Sequence, residues 1–193
     1  MKSIFCAFVL TLFLSSCASF SNRMVNKNKS SLSENDLVNL EGTYVLFPDA
    51  KYDKKGNLET IDSEKPETIH SLNYFVKSER LRYEYLDSYR VEVKLLAKNR
   101  LQFVTKKKDS IVENVELGGK LKNGFFYLDN KYLKRHGVPY LAGGYDNHKT
   151  RIGLTKDNGL LVNYAYDNSG ALIFMFWAGS TYNLAYHFKR IEK

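Results

Sequence analysis

Two stretches of this chain alternate apolar and polar residues, and that period of two sets the architecture open to it. Arg90-Val91-Glu92-Val93-Lys94-Leu95 and Thr181-Tyr182-Asn183-Leu184-Ala185-Tyr186-His187-Phe188-Lys189 place a large apolar side chain on every second residue, as a strand with one buried face requires. Turn residues separate such runs at Lys98-Asn99-Arg100, Lys106-Lys107-Lys108-Asp109, Lys122-Asn123-Gly124, Asp157-Asn158-Gly159, Asp167-Asn168-Ser169-Gly170 and Ala178-Gly179-Ser180.

The runs between them predict strands at 42–47, 72–77, 81–86, 89–97, 100–105, 110–117, 124–128, 150–155, 160–166, 171–177 and 181–190, nine of them or as many as eleven. Short strands at hairpin spacing make an antiparallel up-and-down meander, and closure into a barrel leaves no long exposed edge. The expected class is therefore all-β, with a short N-terminal helix where Ser33 caps Glu34-Asn35-Asp36-Leu37-Val38-Asn39-Leu40. Three prolines and 14% aromatic residues agree with it. The polar segment 48–71 reads as a loop over the barrel mouth or a hairpin insertion, and 129–149 as a second long connection.

The N-terminus carries an address. Lys2 precedes the apolar run Ile4 to Leu14, the layout of a secretory signal and too short for a membrane span, which takes about 20 residues. Leu14-Ser15-Ser16-Cys17 resembles the bacterial lipobox, which implies cleavage before Cys17, acylation of its thiol and a membrane anchor through the acyl chains. Residues 1–16 are then signal peptide, 17–32 a lipidated tether rich in Ser, Asn and Lys, and 33–193 a single domain. The tether has a reach of roughly 20 Å as a random coil. No aspartate follows Cys17, and Ala18-Ser19-Phe20-Ser21-Asn22-Arg23 holds no acid, which favours the outer membrane and its periplasmic face.

With Cys6 removed and Cys17 acylated, the mature domain has no disulfide, thiolate nucleophile or sulfur ligand. The net charge of +8, or +7 without Lys2, suits anionic head groups near the anchor. Nucleic acid is a poor reading for an exported protein, and no nucleic-acid partner is expected.

Glu41-Gly42-Thr43-Tyr44 follows the short helix directly, and this resembles the opening of a lipocalin or calycin barrel. In that family a glycine, any residue and an aromatic start the first strand, and an arginine of the last strand packs on the aromatic ring. The resemblance implies a structural set of Gly42, Tyr44 and Arg190, with tyrosine in place of the usual tryptophan, and carries over no catalytic residue. A sandwich or half-open sheet with Arg190 in solvent is the alternative.

Chemical motifs are sparse. Among His136, Asp146 and His148, no pair has metal-ligand spacing on a regular element apart from the ambiguous Asp146 and His148, and ordinary polar loop residues are the favoured reading. Gly118-Gly119 and Gly143-Gly144 read as turns, since no helix follows to cradle phosphate. Glu84 with Asp87 and Glu113 with Glu116 are the nearest carboxylate pairs, and near neighbours in a strand or turn read as solvated surface acids, since a catalytic pair also needs a cleft and shifted pKa values. No catalytic residue, metal or cofactor is assigned, and an envelope hydrolase is the least favoured reading. The positive signal is aromatic: Tyr164, Tyr166, Trp177, Tyr186 and the adjacent His187 on the C-terminal strands are the expected ligand-binding residues for a small apolar or amphipathic molecule. The competing expectation is a protein-binding envelope module, such as an assembly accessory, inhibitor or immunity-type lipoprotein, using an exposed aromatic strand.

Overall fold

The computed structural model describes residues 19–61, 70–77, 89–130, 132–138, 142–172 and 176–192. The signal, the lipobox and the predicted strand 81–86 lie outside these residues. The fold is all-β. The strands are β1 (Gly42–Val45), β2 (Ala50–Tyr52), β3 (Leu58–Thr60), β4 (Tyr89–Ala97), β5 (Arg100–Lys107), β6 (Ser110–Lys122), β7 (Phe125–Leu128), β8 (Tyr132–Val138), β9 (Ala142–Leu154), β10 (Leu160–Leu172), β11 (Phe176–Phe188) and β12 (Arg190–Glu192). Two short helices, α1 (Asn22–Val25) and α2 (Leu72–Lys77), and a 3-10 turn at Leu37–Leu40 complete it.

All twelve strands belong to one curled antiparallel sheet in the order β12-β1-β4-β5-β6-β7-β9-β10-β11-β2-β3, with β8 added alongside β9. Only Lys189 separates β11 from β12, so the last segment of the chain pairs with β10 on one edge and with β1 and β2 on the other. The Val45 amide donates to the Lys189 carbonyl at 3.0 Å and the Asp49 amide to the His187 carbonyl at 3.2 Å. First and last strands thus meet, and the sheet returns on itself as a barrel-like form.

Register explains why the sequence folds this way. Tyr44, Val91, Val93, Leu101, Phe103, Phe126, Ile152, Val162, Tyr164, Tyr186 and Phe188 all fall on the inward side and form one buried cluster. Tight turns join the strands where Lys108, Asn123 and Asn158 adopt positive φ, a conformation that asparagine tolerates better than most residues.

Several expectations are corrected. Residues 72–77 form α2, not a strand: Leu72, Phe75 and Val76 are buried at helical spacing, whereas the alternation of a strand would have split them between two faces. The segment 129–149 is not a loop but the hairpin of β8 and β9, paired from Tyr132 opposite His148 to Val138 opposite Ala142. The predicted turns at 167–170 and 178–180 lie inside β10 and β11, which pair without interruption from Leu160 opposite Phe188 to Leu172 opposite Phe176. Gly118-Gly119 and Gly143-Gly144 are likewise within strands. In segment 48–71, of which 62–69 lie outside the described residues, β2 and β3 form a hairpin on β11, the second of the two expectations.

The expected tether is seated on the outer wall of the sheet. Met24 and Val25 of α1 pack with Tyr52, Phe125, Leu161 and Ala185. The Ser30 amide donates to the Leu154 carbonyl at 2.8 Å. Arg151 pins the segment from below, its guanidinium 4.5 Å from the ring centre of Phe20 and 4.3 Å from that of Phe125. It also donates to Asn163 Oδ1 at 2.8 Å and to the Tyr127 hydroxyl at 3.0 Å. A few aromatic and aliphatic anchors in a polar segment are enough when a complementary wall is available, which composition does not reveal.

Candidate functional site

Helix α2 enters the concave side of the sheet and decides where a ligand has room. Its last carbonyls would be left without partners in a buried position. Thr150 Oγ1 donates to the Phe75 carbonyl at 2.6 Å, and Asn130 Nδ2 donates to the Phe75 and Val76 carbonyls at 2.6 and 3.1 Å. Phe75 then fills the middle of the barrel, with its ring centre 5.5 Å from Tyr164, 5.4 Å from Tyr186 and 6.4 Å from Phe188. The centre is occupied by the protein's own rings.

Above this floor the inward residues of β10 and β11 open outward two at a time. Phe188 and Tyr186 are buried, Leu184 is half-buried, and Tyr182 is 37% exposed. On β10, Tyr164 is buried and Tyr166 half-buried. Tyr166 stacks on Tyr182 at 4.8 Å and 29°, the two being directly opposite in the register. The Tyr166 hydroxyl donates to Asp146 Oδ1 at 2.8 Å. His148 stacks on Tyr164 at 5.6 Å. Tyr74 of α2 lies 5.9 Å from Tyr164 and stacks on His70 at 4.0 Å. The result is a mouth walled by tyrosines, with one carboxylate on its rim.

Apart from the Asp146 carboxylate, the side chains of the site are held in their neutral forms. Burial pushes the Tyr164, Tyr166 and Tyr186 hydroxyls above the usual phenol range, so they keep their protons. Burial also lowers the His148 imidazole, a drop that the nearby Asp146 carboxylate only partly opposes. The wall therefore offers ring faces, hydroxyl groups and an imidazole.

The expected ligand residues divide. Tyr164, Tyr166 and Tyr186 share the inward face, and Trp177 sits in β11 opposite Ala171, its side chain outside the described residues. His187 is corrected: its odd position turns it to the outer wall, where Nδ1 lies 2.7 Å from Asp49 Oδ1 and Nε2 3.2 Å from Asp157 Oδ2. Tyr74, Asp146 and His148 belong to the mouth but were not expected there. The apolar run around Tyr74 reads as a strand, and the parity of Asp146 and His148 with the inward residues becomes readable only once β9 is recognised. Glu113 points inward to Asn73, with Oε1 3.2 Å from Lys77 Nζ, while Glu116 is exposed, so those two carboxylates do not meet. Among the described residues no three His, Cys, Asp or Glu side chains converge to hold a metal ion.

The structural set at the other end is assembled. The Arg190 guanidinium lies 5.1 Å from the Tyr44 ring centre and donates to the Tyr44 hydroxyl and the Asn39 carbonyl. Comparison with protein-family models, curated proteins and solved structures finds no match to this chain.

Proposed function

We propose that this protein is a lipid-anchored, non-enzymatic component of the bacterial envelope that holds a small amphipathic molecule at the tyrosine-walled mouth of its curled sheet. The observation that carries the reading is the half-open Tyr166 and Tyr182 stack above a closed floor of Phe75, Tyr164 and Tyr186. Rings on strand positions cost little entropy to hold in place, and they offer an apolar face beside a hydroxyl. An apolar body would lie on that stack while a polar head meets the hydroxyls and Asp146. A ligand in the barrel centre would have to displace Phe75, which makes the mouth the better seat.

The anchor rests on Leu14-Ser15-Ser16-Cys17, and placement at the periplasmic face of the outer membrane rests on the residues after Cys17. Kinship with lipocalins is supported by Arg190 packed on Tyr44 beside Gly42.

Titration of the protein with N-phenyl-1-naphthylamine, a fluorescent apolar amine, tests the site. Saturable binding of one molecule per chain, weakened about tenfold or more by Tyr166→Ser with Tyr182→Ser, is expected from the loss of two aromatic contacts. Binding that does not saturate, or that both substitutions leave unchanged, contradicts it.

A further inference from the structure

The mouth end of the sheet carries a second feature. Strands β5 and β6 meet in a turn at Lys108-Asp109, where Lys108 has φ 54°. Just before the turn the register slips: Thr105 faces Glu113 but Lys106 faces Ile111, which leaves Val112 as the extra residue of a bulge. The bulge breaks the alternation, so Ile111 and Val112 both stand in solvent, at 64% and 50% exposure. Two adjacent branched apolar side chains at a hairpin tip add nothing to the fold's own core.

Cations surround them. Arg90 and Lys106 are drawn to Asp109 and Glu92, while Lys107 lies 5.3 Å from the Tyr89 ring centre and Lys108 is exposed. Four cations thus stand against two carboxylates at the tip. An apolar pair in a basic collar matches the boundary between acyl chains and anionic head groups.

The N-terminal segment runs along the wall in the direction of this tip. Strand β6 runs from the tip at Ser110 to Lys122, which pairs with Phe125 at the opposite end of the sheet. Lys29 sits at that opposite end, donating to the Asn123 carbonyl and bridged to Thr155. From there back to Ser19 the chain climbs the outer wall to Asn183, which donates to the Ser19 carbonyl at 2.8 Å. Asn183 pairs with Ala165, and Ala165 with Lys149, about midway along these strands and one position from Tyr166 and Tyr182. In the sequence, Ser19 is two residues from the lipobox Cys17.

We infer that the Lys106–Val112 tip docks on an anionic phospholipid surface beside the anchor, so that the mouth opens toward the bilayer. The inference rests on the lipid-anchor part of the proposed function. It also gives the seated residues 19–30 a role, since they fix the orientation of the domain instead of letting it swing.

The test uses the chain from residue 17 with Cys17→Ser, which holds every described residue, lacks the acylation site and contains no cysteine. An environment-sensitive dye on Ile111→Cys is expected to shift to the blue with vesicles of phosphatidylglycerol and phosphatidylcholine, and not with phosphatidylcholine alone. Co-sedimentation with the anionic vesicles is expected to weaken about fivefold for each lysine removed in Lys107→Ala and Lys108→Ala, and to fall to background with Ile111→Asp and Val112→Asp. An unshifted dye, or sedimentation that these substitutions leave unchanged, overturns the docking. The naphthylamine titration of the same tip variants separates the two claims: unaltered ligand binding with lost sedimentation supports docking, and unaltered ligand binding with unaltered sedimentation overturns docking while the mouth stands. Failure of the ligand site appears in that titration alone.

Discussion

Arg190 and Tyr44, 146 residues apart in the chain, close the far end of the sheet. The guanidinium lies over the ring, and the ring hydroxyl donates to the Leu40 carbonyl at 2.9 Å. Gly42 makes this possible. Its φ is +151°, and a Cβ there would stand 2.9 Å from the Glu192 carbonyl oxygen and 3.3 Å from Arg190 Nε. Gly42→Ala is expected to destabilise the fold by about 2 kcal/mol, read as a lower urea midpoint, while Arg190→Ala costs a similar amount through the lost ring contact and hydrogen bonds.

Arg151 does the same work for the N-terminal segment. Arg151→Ala is expected to release residues 19–30 from the wall, so that trypsin cleaves at Arg23, Lys27 or Lys29 under conditions where the unaltered protein resists. The loss of stability should be about 2–4 kcal/mol, since several contacts of a buried cation go together. Equal digestion of both proteins would show that the segment is held by something else.

His187 ties together the β1–β2 corner, the β9–β10 turn and β11. Burial disfavours its imidazolium, but Asp49 and then Asp157 outweigh that and raise it above the usual histidine range. Gly159 allows the approach, since a Cβ there would fall 2.0 Å from His187 Nε2. A raised folded value means the contribution is fully present below the unfolded value, about 6.5, and is lost as pH rises through the folded one. Thermal stability is therefore expected to fall as pH increases above neutrality, and His187→Gln should flatten that part of the profile.

Phe75 and Tyr182 separate folding from binding. Phe75→Ala empties the barrel centre and should cost about 3–5 kcal/mol. Tyr182→Ala, at the open rim, should cost under about 1 kcal/mol yet weaken ligand binding. Melting curves beside the naphthylamine titration check both.

The strand class was legible where one face is buried and the other wet. Segment 89–97 matches β4 end to end because Val91 and Val93 are buried while Lys94 is exposed. It failed at 72–77, where a six-residue apolar run suits helix or strand alike and only the barrel interior decides. It failed again at 167–170 and 178–180, because glycine and serine mark turns locally, whereas here the cross-strand ladders override them, on both sides of 167–170 and along β10 for 178–180. Half of the mouth was readable from the even positions of β10 and β11. The other half comes from α2 and β9, whose side-chain directions follow from contacts distant in sequence.

The most direct measurement is native mass spectrometry of the protein purified gently from its own envelope. A mass adduct that leaves on denaturation, and that is absent when Tyr166→Ser and Tyr182→Ser are present together, is the expected result. A bare mass for the unaltered protein, or an adduct retained by the doubly substituted one, would contradict a ligand held at the tyrosine mouth.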